Sequence, residues 1–320
     1  MMKNEVLNYK PIIDSYCFVK EDDEGLTFFN RDTYINFHGG SVEDIFALIP
    51  LLTGKLSTEQ LAEKLELPIE YMCDIIKLLD EKNIIKNYDL QEKYKFMDKE
   101  LQRYERFISN LTGSLSSAFE GIEAIYTKKI VLMGNEELQE SVRKACGTKF
   151  SFLEMSQIQN ASLIIAVDFC ENENLFSEAN ELSKCYKVPF LRGVVQEQYF
   201  SIGPIFISNE TGCYNCFLSR KITNYENSYL SYKYMKKYNS EWNETHVGVI
   251  PGTIEMLSFN ILSFIMKYFS DCMPCEIIGK EFTYNVFNLS SNLNPVLKVP
   301  GCSICAGANK NIMKDFVLNS

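Results

Sequence analysis

The fold is indicated most clearly by residues 163–195, which read LIIAVDFCENENLFSEANELSKCYKVPFLRGVV. An apolar run, Leu163–Val167, ends at Asp168 and predicts a buried strand. Glu173–Cys185 predicts a helix, and Pro189–Val195 predicts another strand. A strand, a helix and a second strand in this order form a parallel pair with a right-handed crossover. The segment therefore predicts an α/β domain.

The preceding residues extend this alternation. Lys129–Met133 predicts a short buried strand, which Gly134 separates from a helix that runs to Cys146. Phe150–Glu154 predicts a further strand. Such alternation is typical of a parallel sheet with helical connections, so we predict a Rossmann-like domain. The charged, amphipathic segment Gln91–Leu111 is predicted to be a helix that leads into it.

Residues 1–90 predict a separate module, and 91–320 the α/β domain. The module has three predicted strands, Ile12–Val19, Leu26–Asn30 and Asp32–Phe37. Three predicted helices follow: Val42–Leu52, a helix opened by the capping pattern Ser57–Gln60, and Ile69–Glu81. Three short strands followed by three short helices predict a winged-helix-like module.

Charge argues against nucleic acid as the partner. The third helix, with sequence PIEYMCDIIKLLDEK at 68–82, is rich in acids, whereas a recognition helix carries Arg, Lys, Asn or Gln towards the groove. The chain has a net charge of −10 and no obvious basic face. The module could instead capture an extended peptide as an added strand, or its apolar faces could be core alone. The pattern leaves both interpretations open.

The cysteines and the N-terminal residues indicate the cellular compartment in which the protein is expected. The first ten residues, MMKNEVLNYK, lack the apolar region of a secretory signal. The longest apolar run, Ile254–Phe269, contains Glu255, Asn260 and Lys267 and is too short to cross a bilayer, so we predict a buried helix. Eleven cysteines without a signal favour reduced thiols and metal ligands over disulfides. We therefore expect a cytoplasmic protein that does not bind membranes.

Two Cys-x-x-Cys pairs predict a metal site. Cys213 and Cys216 lie in TGCYNCF, and Cys302 and Cys305 lie in PGCSICAG. Glycine precedes each pair and allows the tight turn of a zinc knuckle. Four thiolates leave no open position on the metal, so we predict structural zinc. The third pair, in Cys272–Cys275, could be a redox dithiol, but without a strand–CxxC–helix context plain thiols are favoured.

A nucleotide site is predicted to be degenerate. After its first strand a dinucleotide or ATP binder carries G-x-G-x-x-G, because bare backbone must approach the phosphates. Here the segment is VLMGNEELQES, which retains only Gly134. Glu136 and Glu137 stand where phosphates would dock, and like charges repel there.

The order of these features resembles one superfamily. Residues 93–309 combine a degenerate Rossmann segment, a VP-containing strand, a first knuckle, a buried helix and a second knuckle. This order resembles the ubiquitin-activating-enzyme-like (E1-like, ThiF/MccB) superfamily. In its active members a D-x-T-D-N-x-x-x-R-x-x-x-N pattern follows the third strand. From Asp168 onward, that pattern places its second carboxylate on Glu171 and its first asparagine on Asn172.

The later motif positions imply that adenylation is lost. The arginine expected to neutralise nucleotide phosphates is replaced by Phe176, while the last asparagine falls on Asn180. Together with the missing glycines, this implies that the chain does not use ATP. The alternative is a working ThiF/MccB-type adenylyltransferase that acts on a peptide or on the C-terminus of a carrier protein.

An inactive E1-like domain behind a winged-helix-like module resembles the E1-like component of azoline-forming cyclodehydratases (McbB/SagC type). The resemblance implies that the module is a RiPP recognition element, which binds the leader of a ribosomal precursor peptide as an added strand. A YcaO-family partner would use ATP to form thiazolines and oxazolines in bacteriocin biosynthesis. A flavin dehydrogenase in the same complex and a homodimer of this chain are also implied. The chain itself would be non-catalytic.

The same resemblance implies which residues bind the leader. It would pair with the edge strand Asp32–His38 and lie against Ile69–Glu81. Candidate contacts are Tyr34, Ile35, Asn36, Phe37, His38, Met72, Ile76 and Leu79, and simple core packing is an equal alternative for each one. The only histidines are His38 and His246, and no catalytic residue is assigned. Lys221–His246, with the sole Trp242, could contact the YcaO partner or a second copy, or be a solvated insertion.

Overall fold

A computed structural model describes residues 6–13, 17–21, 25–30, 33–82, 84–89, 103–104, 107–108, 115–223 and 248–305. The chain divides into two compact units, Met1–Ile122 and Glu123–Ser320. The boundary that we drew from the sequence, between residues 90 and 91, lies earlier. Most of 91–122 falls outside the described residues, so that boundary stays a prediction. Most of the predicted helix Gln91–Leu111 and most of Lys221–His246, with Trp242 and His246, also lie outside them.

The first unit contains two small antiparallel sheets. Its strands are β1 (Pro11–Ile13), β2 (Cys17–Glu21), β3 (Gly25–Asn30), β4 (Thr33–His38) and β5 (Ile85–Asn87). One sheet has the order β2-β3-β4, and the other pairs β1 with β5. The single strand that we predicted at Ile12–Val19 is therefore two strands in different sheets. The closing strand β5 was not predicted.

Three helices follow the strands, as predicted. They are α1 (Val42–Leu48), which continues as a 3-10 turn at Ile49–Leu51, α2 (Thr58–Lys64) and α3 (Ile69–Glu81). Ser57 and Gln60 form the predicted capping box: Gln60 N–H donates to Ser57 Oγ at 3.3 Å, and Ser57 N–H donates to Gln60 Oε1 at 2.9 Å. The apolar faces of these helices and of β3 form one buried core. Its description as a winged helix stays a prediction.

The second unit is built on a seven-stranded mixed sheet. Its strands are β6 (Lys129–Gly134), β7 (Ser151–Leu153), β8 (Leu163–Asp168), β9 (Phe190–Val195), β10 (Tyr199–Phe206), β11 (Lys280–Asn285) and β12 (Ser290–Pro295). The order is β12-β11-β10-β9-β8-β6-β7. The half from β7 to β9 is parallel, as predicted. The half from β10 to β12 is antiparallel and was not predicted.

Five helices are described from residue 115 onward. They are α4 (Leu115–Tyr126), which spans the boundary between the two units, α5 (Glu136–Cys146), α6 (Glu173–Tyr186), α7 (Tyr214–Thr223) and α8 (Thr253–Ser270), with a 3-10 turn at Met155–Asn160. α8 is the predicted buried helix and packs against α5, β9 and β10, while α6 packs against β8 and β9 with α7 beside it. Among the described residues, none of the helices combines the length and apolarity needed to cross a membrane.

Candidate functional site

The order of the parallel strands reverses between β6 and β8. β7 lies on one side of β6, and β8 and β9 lie on the other. In open α/β sheets ligands bind at such a switch point, outside the carboxyl ends of the strands. Gly134 ends β6 and Asp168 ends β8, so the two predicted site residues meet at this point.

Gly134 is used for internal packing. Its φ is +103°, and a Cβ atom there would lie 2.0 Å from the Val167 carbonyl oxygen. The next residue, Asn135, donates its N–H to that same oxygen at 2.9 Å. Asn135 Oδ1 in turn accepts the N–H of Leu138 at 3.2 Å and caps α5. The helix N-terminus that could face a phosphate therefore has an N–H group bound by its own side-chain cap.

The charge around this N-terminus also opposes phosphate binding. Glu136 and Glu137 occupy the first turn of α5. Carboxylates stabilise a helix at this end through its dipole, but they repel a nucleotide phosphate. The sequence prediction that acids stand beside the switch point thus agrees with their positions.

Asp168 and Asn172 form a local turn. Asp168 accepts the N–H of Phe169 at 2.7 Å and the side-chain amide of Asn172 at 2.8 Å. Asn172 Oδ1 accepts the N–H of Leu175 at 3.1 Å and caps α6. These contacts link the end of β8 to the start of α6.

Phe176 and Asn180 lie one helical turn apart on the buried side of α6. Phe176 is fully buried among aromatic rings, with centroids 5.6 Å from Tyr214 and 6.4 Å from Phe190. Asn180 accepts the backbone N–H of Tyr214 at 3.1 Å, directly after the first cysteine of the knuckle. The position where the motif expects arginine thus contributes to the core, and Asn180 fastens α6 to the metal-site loop.

Glu171 lies in a buried ion-pair network. Its carboxylate accepts two hydrogen bonds from Arg192, one of them from Nε at 2.7 Å. Lys221 Nζ donates to it at 2.8 Å, and the Tyr214 hydroxyl donates at 3.1 Å. Arg192 is completely buried, with its guanidinium 4.7 Å from the ring centroid of Phe217.

The network continues onto the antiparallel half of the sheet. Arg192 donates to Ser201 Oγ at 2.8 Å and to Glu281 at 3.3 Å, and Ser201 donates to Glu281 at 2.6 Å. Two cations, the buried Arg192 and the half-buried Lys221, are balanced by two carboxylates, Glu171 and Glu281. Burial of charge is costly unless each group is paired, and here all four are.

Electrostatics keep Glu171 ionised. Burial by itself would raise the pKa of this carboxyl group. The charges of Arg192 and Lys221 and their hydrogen bonds outweigh burial and lower its pKa to about 2. Burial would likewise lower the pKa of Arg192, but Glu171 and Glu281 raise it above its usual value. Glu171 and Arg192 therefore both carry their charge at neutral pH.

Sequence reasoning found only Glu171 of this network. It missed Arg192, Ser201, Lys221 and Glu281, as well as Tyr214. One signal was present: Arg192 is a lone charge inside the apolar strand FLRGVV, and a cation almost never becomes fully buried without a partner. The sequence could not name that partner, because it depends on strand register.

The four predicted zinc ligands come together. All four Sγ atoms lie within 4.8 Å of one another. The Sγ–Sγ distances are 3.8 Å for Cys213–Cys216, 3.6 Å for Cys213–Cys302 and 3.4 Å for Cys216–Cys305. Tetrahedral zinc with Zn–S bonds of about 2.3 Å places its sulfurs about 3.8 Å apart. The donor set therefore fits a structural zinc ion.

Backbone and side-chain donors support two of these sulfurs. Val299 N–H points at Cys216 Sγ at 3.3 Å, and Asn215 Nδ2 lies 3.5 Å from Cys302 Sγ. Such donors stabilise thiolate charge at a metal centre. Cys272 and Cys275 lie outside the cluster, and their thiols donate to carbonyl groups of α8, those of Ser270 and Phe264 respectively.

The candidate leader-binding residues divide into two groups. Along β4, Tyr34, Asn36 and His38 are exposed, while Ile35 and Phe37 pack against the core. This is the predicted alternation. The α3 residues Met72, Ile76 and Leu79 are buried in the core of the same unit. These three side chains therefore pack in the core, as in the alternative to leader contact that the sequence left open.

Known proteins share this fold. The heterocyclase TruD matches 93% of this chain over 43% of its own length, at 18% identity and a TM-score of 0.72. A heterocyclase in complex with substrate and cofactor matches 93% of this chain over 39% of its own, at 17% identity and a TM-score of 0.69. MccB from E. coli matches 93% of this chain and 97% of its own, at 12% identity and a TM-score of 0.58.

Sequence comparison adds no family assignment. No family model matches the chain, and no curated protein matches it. At 12–18% identity the structural matches establish the fold alone. The chain also spans less than half the length of the two heterocyclases. The fold and the site together define a mixed α/β protein that shares the fold of TruD and MccB and has a four-cysteine cluster.

Proposed function

We propose that this chain is a non-catalytic, leader-binding E1-like subunit. It presents a ribosomal precursor peptide to a YcaO-family cyclodehydratase that forms thiazolines and oxazolines. A flavin dehydrogenase acts in the same cytoplasmic complex, and a structural zinc ion is held by Cys213, Cys216, Cys302 and Cys305. The proposal is supported by the fold that the chain has in common with the heterocyclase TruD.

The main support for the proposal comes from the residues at the switch point between β6 and β8, which oppose nucleotide binding. Asn135 caps α5 with its own side chain, Glu136 and Glu137 add negative charge, and Phe176 is buried where the motif expects arginine. A nucleotide would meet repulsion and would find no cation at that motif position. Activation of the peptide by ATP is therefore assigned to the YcaO partner.

The first unit supports the peptide-binding role. β4 pairs only with β3 among the described strands, so its other edge is available for an added strand. Asn30 and Thr33 are paired on either side of a two-residue connection, so their backbone groups hydrogen-bond to each other. Along β4, the backbone N–H and C=O groups of successive residues point alternately towards β3 and away from it. The N–H of Asn36 therefore points away from β3. The exposed Tyr34 side chain lies beside this edge and offers an aromatic surface to the leader.

The experiment measures binding of a fluorescent leader by the full chain, using anisotropy. Asn36→Pro removes one outward N–H and should weaken binding at least about tenfold, since a lost hydrogen bond leaves a buried acceptor unpaired. Asn36→Ala keeps that N–H and loses only the side-chain contact with Thr27 at 2.9 Å. It is the matched control and should bind nearly as well as wild type. Equal binding by all three proteins would refute strand addition.

A second candidate function is adenylation. It is favoured by MccB, which matches over 97% of its own length and has also been solved with ATP. ATP–pyrophosphate exchange separates the two. We expect none from the purified chain, and ATP-dependent loss of water from the precursor only after the YcaO partner is added. Robust exchange by the chain alone would replace our proposal with the adenylyltransferase.

A further inference from the structure

Among the described strands, the hairpin formed by β11 and β12 lies at one edge of the sheet. β12 is the last strand of the seven-stranded sheet, and β11 is its neighbour in the described structure. All six β12 residues, Ser290–Pro295, are exposed. An exposed strand edge presents unpaired N–H and C=O groups and is normally protected by charges or a covering element.

The hairpin also exposes large apolar side chains. Phe287 is 78% exposed, Leu289 72%, Leu297 63% and Leu293 41%. Leu289 has a φ of +58°, in the left-handed region that favours glycine or asparagine. A leucine there costs stability and gains no burial within this unit. Exposed apolar side chains that are grouped in this way mark interaction sites.

The same segment carries no charge. Residues 285–297 read NVFNLSSNLNPVL and contain no Asp, Glu, Lys or Arg, although 23% of the chain is charged. The usual protection of an edge strand by lysine is therefore missing here. Across a two-fold axis each side chain near the axis meets its own copy, so any charge there would repel itself. A neutral segment in a chain of net charge −10 avoids the like-charge repulsion that would oppose self-association.

Backbone direction fixes which groups can pair. Val296 donates its N–H to Gly279 at 2.8 Å, on the inner side of β12. Alternation along the strand therefore directs the backbone groups of Ser291 and Leu293 outward. Pro295 occupies the next outward position, and because proline has no N–H it ends the available edge. The pairing region is centred on Asn292.

We propose that β12 is a self-association edge, where two copies of this chain pair antiparallel about a two-fold axis through Asn292. Ser291 of one copy lies opposite Leu293 of the other, with N–H···O bonds in both directions, and the two seven-stranded sheets become continuous. Phe287 and Leu289 at the hairpin tip then pack against the partner copy. The proposal names the surface of the expected homodimer and does not depend on leader binding.

Cysteine cross-linking of the full chain tests the register. Asn292→Cys places the new thiol opposite itself in a non-hydrogen-bonded pair, where Cα atoms are about 4.5 Å apart, a separation that a disulfide spans. Mild oxidation should give a covalent dimer that wild type does not form. Ser290→Cys is the matched control, because it would face Asn294 and should stay monomeric on a denaturing gel. Equal cross-linking of both variants, or of neither, would overturn the proposal.

Light scattering after gel filtration tests the surface itself. Leu293→Lys sets two like charges beside the axis and should convert a dimer into a monomer of unchanged circular dichroism. Phe259→Lys, at an exposed position on α8, is the control and should stay dimeric. A wild type that is monomeric at every concentration, or a dimer unaffected by Leu293→Lys, would disprove the edge pairing. If Leu293→Lys weakened binding of the YcaO partner alone, the surface would belong to that partner and our assignment would be wrong.

Discussion

At the scale of single residues, the network around Glu171 decides what the switch point can do. A carboxylate that the motif would place near a nucleotide is held by Arg192, Lys221 and Tyr214. Ligand binding through Glu171 would have to break a buried, charge-balanced arrangement. Glu171 supplies a carboxylate where the motif has aspartate, but its contacts are those of a structural ion-pair network.

Glu171→Gln should destabilise the second unit by about 3–5 kcal/mol, because it leaves the buried Arg192 and the half-buried Lys221 without the counter-charge of Glu171. The pKa of Glu171 falls from its ordinary 4.5 to about 2 in the folded chain. Its stabilisation is therefore present above about pH 4.5 and is lost as the pH falls towards 2. The difference between wild type and variant in urea denaturation should shrink over that interval. Glu178→Gln, at an exposed position on α6, should change stability little; an equal loss in that variant would contradict the role of the buried network.

The sequence shows that Phe176 replaces the motif arginine, but it does not show that Arg192 pairs with Glu171. A missing arginine is visible in a motif. The pairing of Arg192 with Glu171 depends on β8 lying beside β9 with Asp168 opposite Val194. That register is a tertiary property, set by the packing of α6 on the sheet, and no local pattern encodes it.

At the scale of elements, prediction succeeded where periodicity was strong. α3 begins and ends at the predicted residues, Ile69 and Glu81. β6, β8 and β9 are apolar runs and were found to within a residue or two. β12 was missed because its sequence, SSNLNP, has neither alternation nor β-branched residues. It forms a strand through its ladder with β11, and thus through context rather than propensity.

Gly134 shows how one turn fixes two elements. Gly134→Ala would set a Cβ 2.0 Å from the Val167 carbonyl oxygen at a φ of +103°, so β6 and β8 would have to separate. We expect a loss of several kcal/mol, about what cavity or strain changes in a core cost at the upper end, measured by chemical denaturation. The control is Gly248→Ala, whose Cβ would meet no atom within 4 Å. If both variants were equally stable, Gly134 would not be needed for close packing.

At the scale of the whole molecule, the metal cluster joins distant parts of the second unit. Cys213 and Cys216 flank the start of α7, and Cys302 and Cys305 lie beyond β12, 89 residues later. A metal held across such a separation closes a long loop, and this restricts the unfolded chain more than a short loop would. The first unit has a separate core, so metal loss should act on one unit only.

Cys302→Ser should therefore lower zinc content below one ion per chain and destabilise the second unit, because metal binding is coupled to folding. Hydrogen-exchange mass spectrometry can follow both units in the intact protein. Peptides from β6, β8 and β9 should exchange faster in the variant, while peptides from α2 and α3 keep the wild-type rate. Cys272→Ser, outside the cluster, is the control and should retain zinc and protection. Zinc at one ion per chain in Cys302→Ser would show that these cysteines are not its ligands, and equal loss of protection in both units would show that they unfold together.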